Sequence, residues 1–124
     1  VSVDQFLDRQ YDRANYNCAH LVCEAWEAET GQALGDVLQG FLLPPRARHV
    51  DWSKRHALKR LDSPQSPCIV LMRRPRLSAH VGMFVRGKVL HINEAGVAFQ
   101  RLSIATLGFP IVGFYGYANC NYRA

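Results

Sequence analysis

The chain lacks any apolar run approaching the roughly 20 residues that a membrane-spanning helix requires, so no membrane span is expected. Its opening residues, Val1-Ser2-Val3-Asp4, contain neither a basic nor an apolar signal-peptide region. This predicts delivery by a machine rather than a secretion signal, or a processed domain. The four cysteines, Cys18, Cys23, Cys68 and Cys120, are too few for a disulfide framework and form no CxxC pair. A Cys68–Cys120 or Cys23–Cys120 bridge stays open. Internal repeats, low-complexity segments and long linkers are absent. Aromatic residues do not interleave with the basic ones as they do in single-strand binders, so no specific nucleic-acid partner is expected.

What is present is ordinary for a soluble globular protein: 124 residues, 48% hydrophobic and 20% charged. That length suits a single domain over 1–124 with its own core. The net charge of +5 gathers in 46–60 and 73–76 and reads as one solvated patch.

The first half reads as helical. Val3–Gln10 predicts a short helix. Asn17 offers an N-cap before Cys18–Thr30, which Gly31 stops. Leu21, Val22, Ala25 and Trp26 recur at helical spacing there, with Glu24, Glu27 and Glu29 facing out. Ala33–Leu43 and Ala47–Leu61 predict two more helices. The texture changes after the breaker Ser63-Pro64-Gln65-Ser66-Pro67. Cys68–Met72, Ala79–Val85, Lys88–Asn93, Gly96–Gln100 and Pro110–Tyr117 read as strands, and Leu102–Leu107 as a helical turn or loop. Helices followed by an antiparallel sheet predict an α+β fold.

Cys18 falls at the first residue of a helix. Free N–H groups and the helix dipole there favour an anion, which predicts a lowered thiol pKa and donors for an oxyanion. A lone cysteine is otherwise a small buried hydrophobe. Cys23, five residues on, points roughly 140° away around the helix and reads as core. The Cys18–Cys23 spacing matches no common zinc pattern, so no metal is expected.

Five histidines compete as the base. His49 and His56 lie in the basic segment and read as solvated. His20 is two residues from Cys18, so it packs or caps locally. His80 opens a strand that could face a helix terminus. A two-residue turn at Arg86-Gly87 would pair Gly82 with His91 and His80 with Asn93, placing His91 diagonal to His80. Gly82 would leave room for the imidazoles. A turn at Gly87-Lys88 would pair Phe84 with His91, and an odd-length loop would turn His91 to the other face. Triad logic then assigns Cys18 as nucleophile, His80 as base and His91 as orienting residue, with Asn93 as the alternative.

Tyr16-Asn17-Cys18-Ala19-His20-Leu21-Val22 resembles the nucleophile motif of the NlpC-like cysteine peptidases. Ala79-His80-Val81-Gly82-Met83-Phe84-Val85 resembles their base motif, and Val89-Leu90-His91-Ile92-Asn93 with Gly96-Val97 their third-residue motif. Phe114-Tyr115-Gly116-Tyr117 resembles the closing strand. The match runs from about Tyr11 to Tyr117 and looks closest to the phage and tail-associated branch.

The resemblance implies a papain-like fold and a thiol mechanism without metal or cofactor. It also implies cleavage of peptidoglycan stem peptides, commonly between D-glutamate and a diamino acid. Tyr11 and Ala19 would support the thiol or the oxyanion. Action in the periplasm or cell wall, with phage-tail or secretion-machine partners, follows from the same likeness. The sequence departs from the family's usual Asp-Cys-Ser-Gly-Leu at Asn17, Ala19 and His20, which puts substrate preference at issue. The alternatives are a thiol amidase or acyl hydrolase on a different substrate, and a non-catalytic assembly module that retains the fold.

Overall fold

The computed structural model describes residues 2–34, 37–38, 58–77 and 79–117. A 3-10 turn over Val3–Phe6 precedes α1, Cys18–Thr30. Then come β1 (Leu58–Leu61), β2 (Cys68–Arg73), β3 (His80–Val85), β4 (Lys88–Asn93), β5 (Gly96–Gln100), a short α2 (Leu102–Ala105) and β6 (Ile111–Tyr117). The strands form one six-stranded antiparallel sheet in the order β1-β6-β2-β3-β4-β5, giving an α+β architecture.

α1 begins and ends at the residues that its caps predict. Asn17 Oδ1 accepts the N–H of Ala19, and His20 Nδ1 accepts the N–H of Asn17, a reciprocal cap. Gly31 closes the helix in left-handed backbone at φ 76°. The stripe Leu21, Val22, Ala25 and Trp26 is buried against β3 and β4. Burying one such side chain is worth about 1.5–3 kcal/mol, far more than any helix propensity along the same stretch.

The sheet separates two apolar clusters. On the α1 side, Ile69 and Leu71 of β2 join Val81, Met83, Val85, Leu90 and Ile92. On the other side, Val70 and Met72 meet Val89 and Ala105, with Phe84, Leu102 and Phe109 packed around them. β2 is therefore buried on both faces, which explains its unbroken apolar run.

β3 and β4 pair as Met83↔Leu90, Phe84↔Val89 and Val85↔Lys88, so the turn is Arg86-Gly87, the register that favours a His80–His91 contact. Both turn residues have positive φ, 52° and 82°, as a type I′ hairpin requires. Arg86 is held in that conformation by two contacts of 3.1 Å, its N–H donating to Ser66 Oγ and its guanidinium to Glu29 Oε2. The latter ties the hairpin to the last turns of α1.

Three expected helices change. Val3–Gln10 shrinks to the 3-10 turn, continued by i→i−3 bonds from Leu7 to Asp4 and from Arg9 to Phe6, and Arg9 then pairs with Glu24 of α1 at 2.6 Å. Ala33 and Leu34 are not helical, although Leu34, Val37 and Leu38 are buried; most of Ala33–Leu43 lies outside the described residues. The expected helix Ala47–Leu61 ends instead in β1, which pairs residue for residue with β6 from Leu58↔Tyr117 to Leu61↔Phe114. Ladder hydrogen bonds, about 1 kcal/mol each, outweigh the small helix preference of Leu-Lys-Arg-Leu. The remainder of that segment, with His49 and His56, lies outside the described residues, as does Cys120. β6 starts at Ile111 rather than Pro110, since proline cannot donate to the ladder. Leu102–Leu107 resolves into α2 and a turn. Among the described residues no helix is long and apolar enough to cross a membrane.

Candidate active site

Cys18 occupies the first position of α1 and packs against the helix-side cluster. It lines a cleft of about 490 Å³ with Tyr11, Ala79, His80, Ile92 and Asn93. Three backbone N–H groups, those of Val81, Ala19 and Cys18 itself, approach the sulfur and favour the thiolate. Burial outweighs them and pushes the thiol above its ordinary value. This corrects the expectation of a lowered thiol pKa: a helix start activates a cysteine only where water or a cation also reaches it.

His80 stands at the start of β3 and is also largely buried. Desolvation, the neighbouring His91 and the charge of Arg74 push its pKa down to about 4, so the imidazole is neutral at pH 7. Its Nε2 meets His91 Nδ1 at 3.0 Å, and His91 Nε2 meets Gln100 Oε1 at 2.8 Å. The amide oxygen can only accept, so His91 carries its proton on Nε2 and offers Nδ1 as an acceptor. His80 must then donate through Nε2. That fixes its tautomer and leaves Nδ1 as the unprotonated nitrogen, with no hydrogen-bond partner among the described residues. Phe109 stacks on the imidazole at 5.8 Å and 15°, restraining the ring's tilt.

Cys18 and His80 share the cleft but do not hydrogen-bond to each other. The cause is strand alternation. Val81 points into the α1-side cluster, so His80, Gly82 and His91 face the opposite side of the sheet. The thiol and the imidazole therefore approach each other around the end of the sheet, where β3 starts and β4 stops, rather than across one face.

The other residues singled out from sequence take these positions. Tyr11 lines the cleft. The Ala19 N–H is engaged by Asn17 Oδ1 at 3.0 Å, which weakens its case as an oxyanion donor. Asn93 lines the cleft too, but its Oδ1 accepts the Ala95 N–H at 2.8 Å, and His91 is the residue bonded to His80. His20 serves the cap and stacks on Tyr16 at 6.1 Å, as its local position suggested. Cys23 is half-buried and borders a separate groove with Glu24 and Glu27 along α1. Cys68 is buried in β2, its thiol pushed up to about 11 by desolvation. Among the described residues no three His, Cys, Asp or Glu side chains form a metal-binding group.

Sequence reasoning missed Gln100, the Val81 N–H and the Phe109–Arg74 pair. Gln100 was within reach: a two-residue turn at Glu94-Ala95 pairs His91 with Ala98 and makes Gln100 its diagonal neighbour. The small Ala98 opposite His91 leaves the amide room to cross. Arg74 and Phe109 come together only through the 106–110 loop, which carries no sequence signal for that contact.

Comparison with known proteins returns no relative, since no family model, no curated protein and no solved structure matches the chain.

Proposed function

We propose that the protein is a cysteine endopeptidase of NlpC-like type, with a papain-like arrangement, acting on peptidoglycan stem peptides. The observation that carries this reading is the ordered chain Gln100–His91–His80, which ends on an available imidazole nitrogen at the cleft that also holds Cys18.

In the mechanism, His80 Nδ1 accepts the thiol proton as the Cys18 sulfur attacks the peptide carbonyl. Hydrogen bonds of this kind are commonly long in a free enzyme and tighten around substrate. The tetrahedral oxyanion forms beside the Cys18 N–H at the helix start. Collapse breaks the C–N bond, and the imidazolium returns its proton to the leaving amine. Water then attacks the acyl-enzyme and gives a proton to His80, releasing the acid and restoring the thiol. Both groups start neutral, so His80 acts as a general base rather than half of a resting ion pair. The wall setting and delivery by a phage tail or secretion machine belong to the same reading.

The test is digestion of purified peptidoglycan from several wall types, with new amino termini counted by mass spectrometry. Wild type releases them, while Cys18→Ala and His80→Ala fall by at least about 10³-fold, as for removal of triad members. No release from any wall type by wild type counts against the substrate assignment. A second reading, a non-catalytic module that retains this architecture, is favoured by the raised thiol and the missing Cys18–His80 hydrogen bond. An electrophilic peptide analogue separates the two: labelling of Cys18 that requires His80 supports an enzyme.

A further inference from the structure

Arg74 follows β2 and lies beside the imidazole chain, in a pocket lined also by His80, His91, Asn93, Gln100 and Phe109. Its Nε donates to Gly108 O at 3.0 Å, and its guanidinium carbon sits 4.5 Å from the centre of the Phe109 ring. The same ring stacks on His80 at 5.8 Å. Together these distances cap the guanidinium–imidazole separation at about 10 Å, the span of roughly three extended residues.

A surface arginine usually finds a carboxylate or points freely into water. Arg74 does neither. Among the described residues it has no acidic partner, and no Asp or Glu lines its pocket. A carbonyl and an aromatic face bias its orientation at two points, and its terminal Nη donors stay open to solvent and to a ligand. Its charge reaches the site, being one of the causes that hold His80 down. Asn93 adds a neutral donor: its Oδ1 is taken by the Ala95 N–H, leaving Nδ2 available. On the rim, Ile104 and Leu107 are 50% and 68% exposed and offer an aliphatic wall.

We propose that Arg74, supported by Asn93, forms an anion subsite that holds a substrate carboxylate within about three residues of the bond cleaved. A single guanidinium with amide donors matches a singly charged, planar carboxylate. A phosphate would bring a second charge with no second cation in the pocket lining to meet it. The aliphatic rim would lie along the carbon chain bearing the carboxylate. The protein would thus select acidic peptides. This inference rests on the hydrolase reading for its meaning, but the binding itself can be measured without turnover.

The experiment uses Cys18→Ala protein, with the imidazole signals of His80 and His91 followed by NMR. It is titrated with short glutamate peptides, α- and γ-linked, and with matched glutamine peptides in which a carboxamide replaces the carboxylate. Inorganic phosphate is run in parallel. The expected result is at least tenfold tighter binding of one glutamate series than of its glutamine match. Arg74→Gln removes that preference without changing the weaker glutamine binding, and Arg74→Lys keeps part of it. Equal binding of both peptide series, equal loss of both in Arg74→Gln, or phosphate binding tighter than any glutamate peptide overturns the subsite. Failure of wild type to hydrolyse any wall peptide, with the carboxylate preference intact, overturns the hydrolase reading and leaves the subsite standing.

Discussion

His91 joins Gln100 through Nε2 while its Nδ1 meets His80, so an amide on an outer strand decides which nitrogen of His80 carries the proton. Among the described residues Gln100 Oε1 is the acceptor that selects this tautomer, and Gln100→Ala removes it. The expected effect is a fall in kcat of roughly 10- to 100-fold with KM little changed, the size seen when a supporting partner of a key histidine is lost. Gln100→Glu keeps the acceptor and adds a negative charge that favours the protonated imidazoles, so the acidic limb of the pH–rate profile moves to higher pH. Steady-state kinetics across pH on a released wall peptide checks both.

Cys18 should titrate as a buried thiol. Burial places its pKa above the ordinary value, so the neutral thiol dominates through neutral pH and the thiolate appears only in alkaline solution. Alkylation by iodoacetamide, read by mass spectrometry at Cys18, should be slow near pH 7 and climb continuously above pH ~8.5. A reactivity plateau near pH 5–7 would indicate a preformed thiolate–imidazolium pair and contradict this account.

His80 makes stability depend on acid. Its folded pKa, about 4, lies below the 6.5 of a free imidazole, so between those values the unfolded chain binds more protons than the native one. Stability is therefore lost as pH falls from about 6.5 toward 4, by up to about 3 kcal/mol, and this loss levels off below 4. Urea denaturation from pH 7 to pH 4 should show a steeper decline for wild type than for His80→Gln, which has no proton to gain.

Gly82 has no space for a side chain. A Cβ there would lie 2.7 Å from Val89 Cγ1 and 3.2 Å from both His91 Cβ and Leu90 O. Gly82→Ala should push β4 away from β3, cost about 1–3 kcal/mol and separate the two imidazoles. Thermal unfolding measures the first effect. The second appears as lost activity at temperatures where the variant remains folded, and a fully active Gly82→Ala would show that the His80–His91 bond is dispensable.

Local chemistry made much of this architecture legible. Asn17 and Gly31 mark both ends of α1 because capping is a short-range property. Arg86-Gly87 sets the β3–β4 register because strand parity admits few choices, and the register in turn brings His91 to His80. β1 was illegible for the opposite reason. Leu58–Leu61 has no strand signature of its own, and its conformation is decided by β6, more than fifty residues away. The state of the Cys18 thiol was hidden in the same way: the helix start is local, but the burial that overrides it comes from residues at the sheet's end.

The sulfur packs with the α1-side cluster, while His80, in the same cleft at the end of the sheet, is stacked by Phe109 of the opposite cluster. On the hydrolase reading, alignment of the thiol and the imidazole is therefore a joint readout of two cores that share no side chains. A conservative change at Val70, Met72 or Ala105, far from the thiol, can shift the imidazoles by a fraction of an ångström while the helix layer stays intact. Such variants would lose turnover before they lose foldedness, and compensating mutations would arise in the layer that was never altered.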